Sequence, residues 1–172
     1  DSTTYHYEDT RFRRHVTGWT DHRNVRMATY AYDSQGRATS EQGPGGSDLN
    51  TIAYTDDTTK LVRTLTNALG KSTVYTFTRQ STSSPIARLT SVEGQASTNC
   101  PASLGSYTYT TSRFLEQYTD EEGRKTRYVR DSKGRATSIT RGYGTPQAVT
   151  TGITYNVNFN QPATVVDPGR TA

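Results

Sequence analysis

Apolar and polar positions alternate with a period of two over short stretches of this chain, and each stretch is cut by a cluster of Asp, Asn, Ser, Thr or Gly. Tyr30 and Tyr32 flank Ala31 on one side of Asp33-Ser34-Gln35-Gly36, and on the other side Arg37 and Thr39 alternate with Ala38 and Ser40. An Asp that opens a four-residue turn can bind backbone N–H two residues on, and a Gly that closes it accepts positive φ. A turn between two Tyr- and Thr-rich period-two segments predicts a β-hairpin.

The same text returns about a hundred residues later as Tyr128-Val129-Arg130-Asp131-Ser132-Lys133-Gly134-Arg135-Ala136-Thr137-Ser138, with Asp-Ser-x-Gly-Arg-Ala-Thr-Ser conserved without a gap. Internal repetition of this kind decides architecture before other signals are read. Looser copies fill the rest. Tyr5-His6-Tyr7-Glu8-Asp9 opens one. Tyr54-Thr55-Asp56-Asp57 leads to Leu61–Leu65, and Tyr75-Thr76-Phe77 leads after a longer loop to Ala87–Ser91. Tyr107-Thr108-Tyr109 leads to Phe114–Tyr118, and Tyr155–Asn160 leads to Ala163–Val166. A second set of turns is expected to link the hairpins: Thr66–Gly70, Thr119–Gly123 and Val166–Gly169, each with Asp or Asn early and Gly late. Thr20-Asp21-His22-Arg23-Asn24 reads as the same turn with Asn, the residue that best tolerates a left-handed backbone after Gly.

Leu, Ile, Val and Phe together fall below about one fifth of the chain, a level at which disorder competes with folding. The net charge is only +4 and there are 12 Tyr, so an ordered β structure with little apolar core is expected instead. A sandwich would need two apolar faces that this composition does not supply. A single sheet can be held by its ladder and by cross-strand Tyr and Thr pairs. The expected fold class is all-β: tandem antiparallel β-hairpins forming one curved, twisted open sheet. It is read as a single array over residues 1–172 of about seven repeats and as a segment of a longer protein. No stretch approaches the roughly 20 apolar residues of a membrane-crossing helix.

On these motifs the chain resembles the RHS/YD-repeat family. The family consensus sets a tyrosine pair ahead of Asp-x-x-Gly-Arg-Leu, matched by Tyr30–Ala38, and its linking turn Asp-x-x-Gly is matched by Asp120-Glu121-Glu122-Gly123. The resemblance implies that Tyr30, Tyr32, Asp33, Gly36, Arg37, Tyr128, Asp131, Gly134 and Arg135 are ladder and turn residues, with Gly70, Tyr75, Tyr107, Tyr109, Asp120, Gly123 and Tyr155 marking the looser copies. It further implies a bacterial secreted or cell-surface protein, in which flanking repeats and this segment wall in a C-terminal toxin or effector domain. The sequence departs from the pattern at Arg130, which replaces the second aromatic, at Ala38 and Ala136, which replace Leu, and at Tyr54–Thr58, which lacks the turn Gly. The family's self-cleaving aspartate site is not recognisable, so self-processing is not expected.

Few residues suggest chemistry, and no catalytic residue, cofactor or metal site is expected. His6, His15 and His22 lie within the first 22 residues with no companion cluster, and a metal needs three or four convergent ligands. The carboxylate pairs Glu8-Asp9, Asp56-Asp57 and Asp120-Glu121-Glu122 fall at turn positions. Cys100 is the only cysteine, which excludes a disulfide framework. Gly43-Pro44-Gly45-Gly46 lacks the Lys-Ser/Thr of a phosphate loop and reads as an inter-hairpin loop. Arg11-Phe12-Arg13-Arg14-His15 reads as a solvated strand with Arg11, Arg13 and His15 on one face. Acidic and basic residues nearly balance, so no nucleic-acid partner is expected. Arg37, Arg124, Arg135 and Arg170 each follow a Gly at a turn exit, which predicts bridges to the Asp of a neighbouring hairpin. A second functional reading is a carbohydrate-binding or adhesion module, in which Trp19, Tyr155, Asn156, Asn158 and Asn160 would contact a glycan. Trp19 otherwise packs over the sheet. An array with two raw edges is also expected to associate edge to edge.

Overall fold

The computed structural model describes residues 2–79, 81 and 86–168. Gly169 and Arg170, and with them the end of the last linking turn, lie outside the described residues. Fourteen strands follow in chain order: β1 (Thr4–His6), β2 (Gly18–Thr20), β3 (Arg26–Tyr32), β4 (Ala38–Gln42), β5 (Asn50–Asp56), β6 (Lys60–Thr66), β7 (Ser72–Arg79), β8 (Ala87–Gly94), β9 (Ser103–Tyr109), β10 (Leu115–Thr119), β11 (Lys125–Arg130), β12 (Ala136–Arg141), β13 (Val149–Tyr155) and β14 (Pro162–Val166). They form one open antiparallel sheet in which spatial order equals sequence order. β1 and β14 are its two edges. The one helical piece described is a 3-10 turn over Pro44–Gly46, in the loop between β4 and β5.

The chain divides into two compact units, residues 1–88 with 94–102, and residues 89–93 with 103–172. In the first unit, register sorts side chains by face. Tyr54 pairs with Arg63 and Arg63 with Tyr75; Ile52 pairs with Leu65; Leu61 pairs with Phe77. The alternate positions carry Thr, Ser, Ala and Val: Thr51 opposes Thr66, which opposes Ser72, and the Thr66 and Ser72 hydroxyls meet at 2.9 Å. The second unit repeats the segregation. The Tyr107 and Tyr118 rings stack 5.0 Å apart across β9 and β10, while the Thr140–Thr150 and Thr154–Thr164 hydroxyl pairs close at 2.8 and 2.6 Å.

Burial is sparse, as the composition predicts. Among the described residues Ala28 is the only buried apolar side chain, joined by Thr17, Thr20 and Thr151. Stability therefore rests on ladder hydrogen bonds and cross-strand pairs, each pair worth about 0.2–1 kcal/mol.

The Arg11–His15 run is a loop, which corrects the strand expected from its alternation. The Asp9 carboxylate accepts the Arg11 backbone N–H at 3.0 Å and its guanidinium at 2.7 Å. Phe12 and His15 then both turn onto Gly36, so their alternation with arginine does not reflect two sheet faces.

Candidate functional site

The turns come first, because they aim everything else. At Asp33 the carboxylate Oδ1 accepts the backbone N–H of Gln35 (2.8 Å) and of Arg37 (2.9 Å), and Gly36 N–H donates to the Asp33 carbonyl (3.1 Å). Gly36 has φ 77°. This is a type I turn followed by one left-handed residue, which makes a bulge in the ladder. The same pattern recurs at Asp131, Asp120, Asn67 and Asp21. The fourth position is Gly134, Gly123, Gly70 and Asn24, all at positive φ. The two turn classes separated in the sequence are thus one geometry used at both ends of the strands. A sixth turn, Thr110–Phe114, has neither Asx nor Gly. The Thr110 hydroxyl accepts the Phe114 N–H at 3.1 Å and Arg113 takes φ 71°.

At Gly36, Gly123 and Gly134 the arginine that follows closes the motif. Arg37 Nε donates to Asp33 Oδ2 at 2.7 Å, and Arg135 Nε to Asp131 Oδ2 at 2.8 Å. The guanidinium then covers the next strand's tyrosine: Arg37 stands 4.2 Å from the Tyr54 ring centroid and Arg135 4.3 Å from that of Tyr155. It also reaches the following turn, at Asp56 from Arg37 and at Asn160 from Arg135, each at 3.2 Å. The expected bridge to a neighbouring hairpin therefore forms at Arg37. At Arg135 the acceptor is an amide. Arg124 stays within its own turn, on Asp120 and Glu122. The Asp33 carboxyl is held below its ordinary range, first by the Arg37 backbone N–H and then by the guanidinium. For Asp120 and Asp131 partial burial pulls upward, but the arginine and the turn N–H groups outweigh it.

A second device joins successive hairpins. From the second hairpin on, the first strand carries at or near its end a long side chain that donates to a backbone carbonyl near the start of the preceding strand. Tyr32 donates to Val16 (2.6 Å), Tyr54 to Ala38 (2.6 Å), Tyr109 to Leu89 (2.8 Å) and Tyr155 to Ala136 (2.9 Å). Arginine does the same at the other two junctions, Arg79 to Asp57 (3.1 Å) and Arg130 to Leu115 (3.1 Å). Arg130, which breaks the repeat consensus, carries a double load. It also donates to the Gly134 carbonyl at 3.0 Å, the position that His15 takes on Gly36 at 3.1 Å in the first copy. The ring of Phe114 lies over Gly134 as that of Phe12 lies over Gly36.

The remaining residues singled out in the sequence are dispersed. Trp19 lies in β2 between Tyr5 and Ala28. Asn156 and Asn158 cap the β13–β14 turn through an Asx contact of 2.9 Å, and Asn160 receives Arg135, so the turn engages all three. Cys100 is exposed. No group of three metal-ligating side chains occurs among the described residues, and no helix there is long and apolar enough to cross a membrane. His6 contacts the Thr20 hydroxyl at 2.6 Å and Glu8 at 3.6 Å, but Thr20 is buried and Glu8 is held by both Arg26 nitrogens at 3.0 Å. That network ties β1 to β2 and β3. One shallow open groove, about 360 Å³, lies on the aromatic face of β5–β7 among Ile52, Tyr54, Arg63, Leu65, Tyr75 and Phe77.

No protein-family model matches this chain, and no curated protein sequence matches it. The fold and its junctions define an antiparallel hairpin array whose repeated side chains act on each other.

The junction predicts its own mutational signature. Tyr155→Phe removes one hydrogen bond at a half-buried carbonyl and should lower stability by about 1 kcal/mol. Arg135→Ala also uncovers the ring and should cost more. In a double-mutant cycle followed by urea unfolding, the two losses should fall short of additive, because one ring mediates both contacts. Full additivity would separate clip from hydroxyl.

Proposed function

We propose that the chain is a structural, non-enzymatic wall segment of the RHS/YD-repeat type, which with flanking repeats surrounds a C-terminal toxin or effector domain in a secreted or cell-surface bacterial protein. The supporting observation is the junction: six successive hairpins are tied by Tyr or Arg donors to the carbonyls behind them. A wall must resist opening between strands, and these side chains cross each inter-hairpin seam. Polar residues are spent on turns and seams, consistent with a barrier in place of a reaction centre.

The test is protease protection in the longer protein that this reading requires. The C-terminal domain should survive digestion while the array is intact and be cut once Arg37→Ala and Arg135→Ala loosen the seams. Digestion at the same rate with and without an intact array would remove the wall.

The groove on β5–β7 favours a second reading, carbohydrate binding, because Tyr75 and Phe77 line it beside Arg63. Saturable binding on a glycan array that Tyr75→Ala abolishes would establish it, and uniform silence would leave the wall alone.

A further inference from the structure

Two tyrosines take no part in the seams and are brought against each other. The hydroxyls of Tyr32, Tyr54, Tyr109 and Tyr155 are taken up by carbonyls behind them, and that of Tyr143 accepts from Arg127 at 2.5 Å. Tyr107 in β9 and Tyr118 in β10 instead face each other directly in the ladder, with ring centroids 5.0 Å apart and planes tilted by 29°. They are the one pair of tyrosine rings in contact among the described residues. Gly105 lies two residues before Tyr107, hence on the same face, and is buried. The Tyr118 ring comes, at Cε2, to 3.8 Å from where a Cβ of Gly105 would stand. The missing side chain lets that ring lie along β9, where Tyr107 stacks on it. Burial first, and then the Tyr107 phenol, raise the Tyr118 hydroxyl above its ordinary value, so the ring is a neutral phenol at neutral pH. Neither phenolic oxygen is a buried atom without a partner. Their hairpin is also the one whose turn, Thr110–Phe114, has neither Asx nor Gly and sets Arg113 at φ 71°. A side chain there carries a steric cost that Gly avoids.

From this we infer that Tyr107 and Tyr118 form a modification site, joined ring to ring as dityrosine by an external one-electron oxidant of the haem-peroxidase class that draws on hydrogen peroxide. Each phenol gives up one electron and its hydroxyl proton. The two phenoxyl radicals then form a carbon–carbon bond between one Cε of each ring, the position beside the oxygen. The hydrogens on those two carbons leave as protons, and the two oxygens are reprotonated through water. Two electrons and two protons have then left the chain, and they reduce one hydrogen peroxide to two waters. Stacked rings need only slide to bring a Cε of each into bonding reach. Holding both radicals in one ladder makes the coupling intramolecular, so it outruns coupling between dilute chains. The bond fastens β9 to β10 in the hairpin whose turn has neither Asx nor Gly. The inference stands on this hairpin and not on what the array encloses, so it and the wall reading fail independently.

Treatment of the dilute chain with a haem peroxidase and limiting hydrogen peroxide tests it. The monomer should lose the mass of two hydrogens and gain dityrosine fluorescence, and proteolysis with mass spectrometry should find Tyr107 bonded to Tyr118. Tyr107→Phe and Tyr118→Phe should each abolish the fluorescence of the monomer. Both keep the stacked ring, and unchanged circular dichroism would show that the fold is kept. Tyr5 and Tyr7, 59% and 54% exposed, are the control. Replacing both with Phe should leave the monomer's cross-link in place. Should either Phe variant at 107 or 118 fail to fold, the peptide map of the unaltered chain still decides. Cross-links found only between chains overturn the proposal. So does a monomer cross-link that maps to another pair or survives Tyr118→Phe, and so does a monomer that never loses the two hydrogens.

Discussion

Gly18→Ala should be among the most damaging single substitutions in the chain, costing about 3–5 kcal/mol. A Cβ at Gly18 would stand 2.2 Å from the Ala28 carbonyl oxygen and 2.5–2.6 Å from the Arg26 guanidinium. The carbonyl belongs to the paired strand β3, next to the position where Trp19 faces Ala28, so it cannot retreat without parting β2 from β3. The guanidinium cannot retreat cheaply either. It donates to the Thr17 and Ala28 carbonyls at 2.8 and 3.2 Å and holds Glu8 with two bonds. A methyl group there sets backbone separation against the loss of four hydrogen bonds. Gly70 and Gly123 provide the comparison. Their added Cβ atoms would meet nothing within 4 Å, at φ 73° and 78°. Alanine at either should cost only the left-handed backbone term, about 1–2 kcal/mol. Gly134→Ala should fall between, because its methyl meets the far end of the Phe114 ring at 2.3 Å and the ring can swing outward. Urea midpoints for the four variants should rank in that order. A Gly18→Ala protein as stable as Gly70→Ala would mean that the β2–β3 seam yields freely.

Acid should unlock the turns together. The carboxyls of Asp21, Asp33, Asp57, Asp120 and Asp131 lie below their ordinary value in the folded chain. Asp21, Asp33 and Asp57 owe this first to backbone N–H groups, and Asp120 and Asp131 to arginine and N–H contacts that overcome partial burial. A carboxyl whose folded pKa is depressed binds protons more readily in the unfolded chain. Its contribution is complete above the unfolded value, 3.8 for Asp, and is lost as pH falls through the lower folded value. The urea midpoint should therefore be nearly flat from neutral pH to about pH 5 and fall steeply below pH 4. Asn67 shows how to isolate the effect, since its amide oxygen accepts the Leu69 and Lys71 N–H groups at 2.9 and 3.0 Å with no charge. Asp33→Asn with Asp131→Asn should keep the turns, lose some stability at neutral pH, and flatten the acid slope. An unchanged slope would assign acid sensitivity to other groups.

The hairpin turns and the all-β array were legible because Asp-x-x-Gly encodes a local geometry that needs no partner. Asn24 was readable for the same reason. The Thr110–Phe114 turn was not, since a threonine hydroxyl does the carboxylate's work and Arg113 takes the left-handed position. The Arg11–His15 loop misled because its alternation matched a strand, while Asp9 and Gly36, close only in the fold, decide where its side chains go. Tyrosines were visible as strand residues, but the destination of their hydroxyls depends on register between hairpins. Arg130 looked like a defect in the repeat. In place it donates to both the Leu115 and Gly134 carbonyls, a substitution of function that letter-by-letter matching does not reveal.

The donors at or near the strand ends that reach a backbone carbonyl across the seam all point backwards along the chain. Tyr32, Tyr54, Arg79, Tyr109, Arg130 and Tyr155 each complete the hairpin that was made before them. A hairpin leaving the ribosome is consequently unfinished until its successor emerges, and the newest one always waits. If folding keeps pace with synthesis, a chain stalled at any point should carry a single incomplete unit at its growing end, with the seams behind it closed.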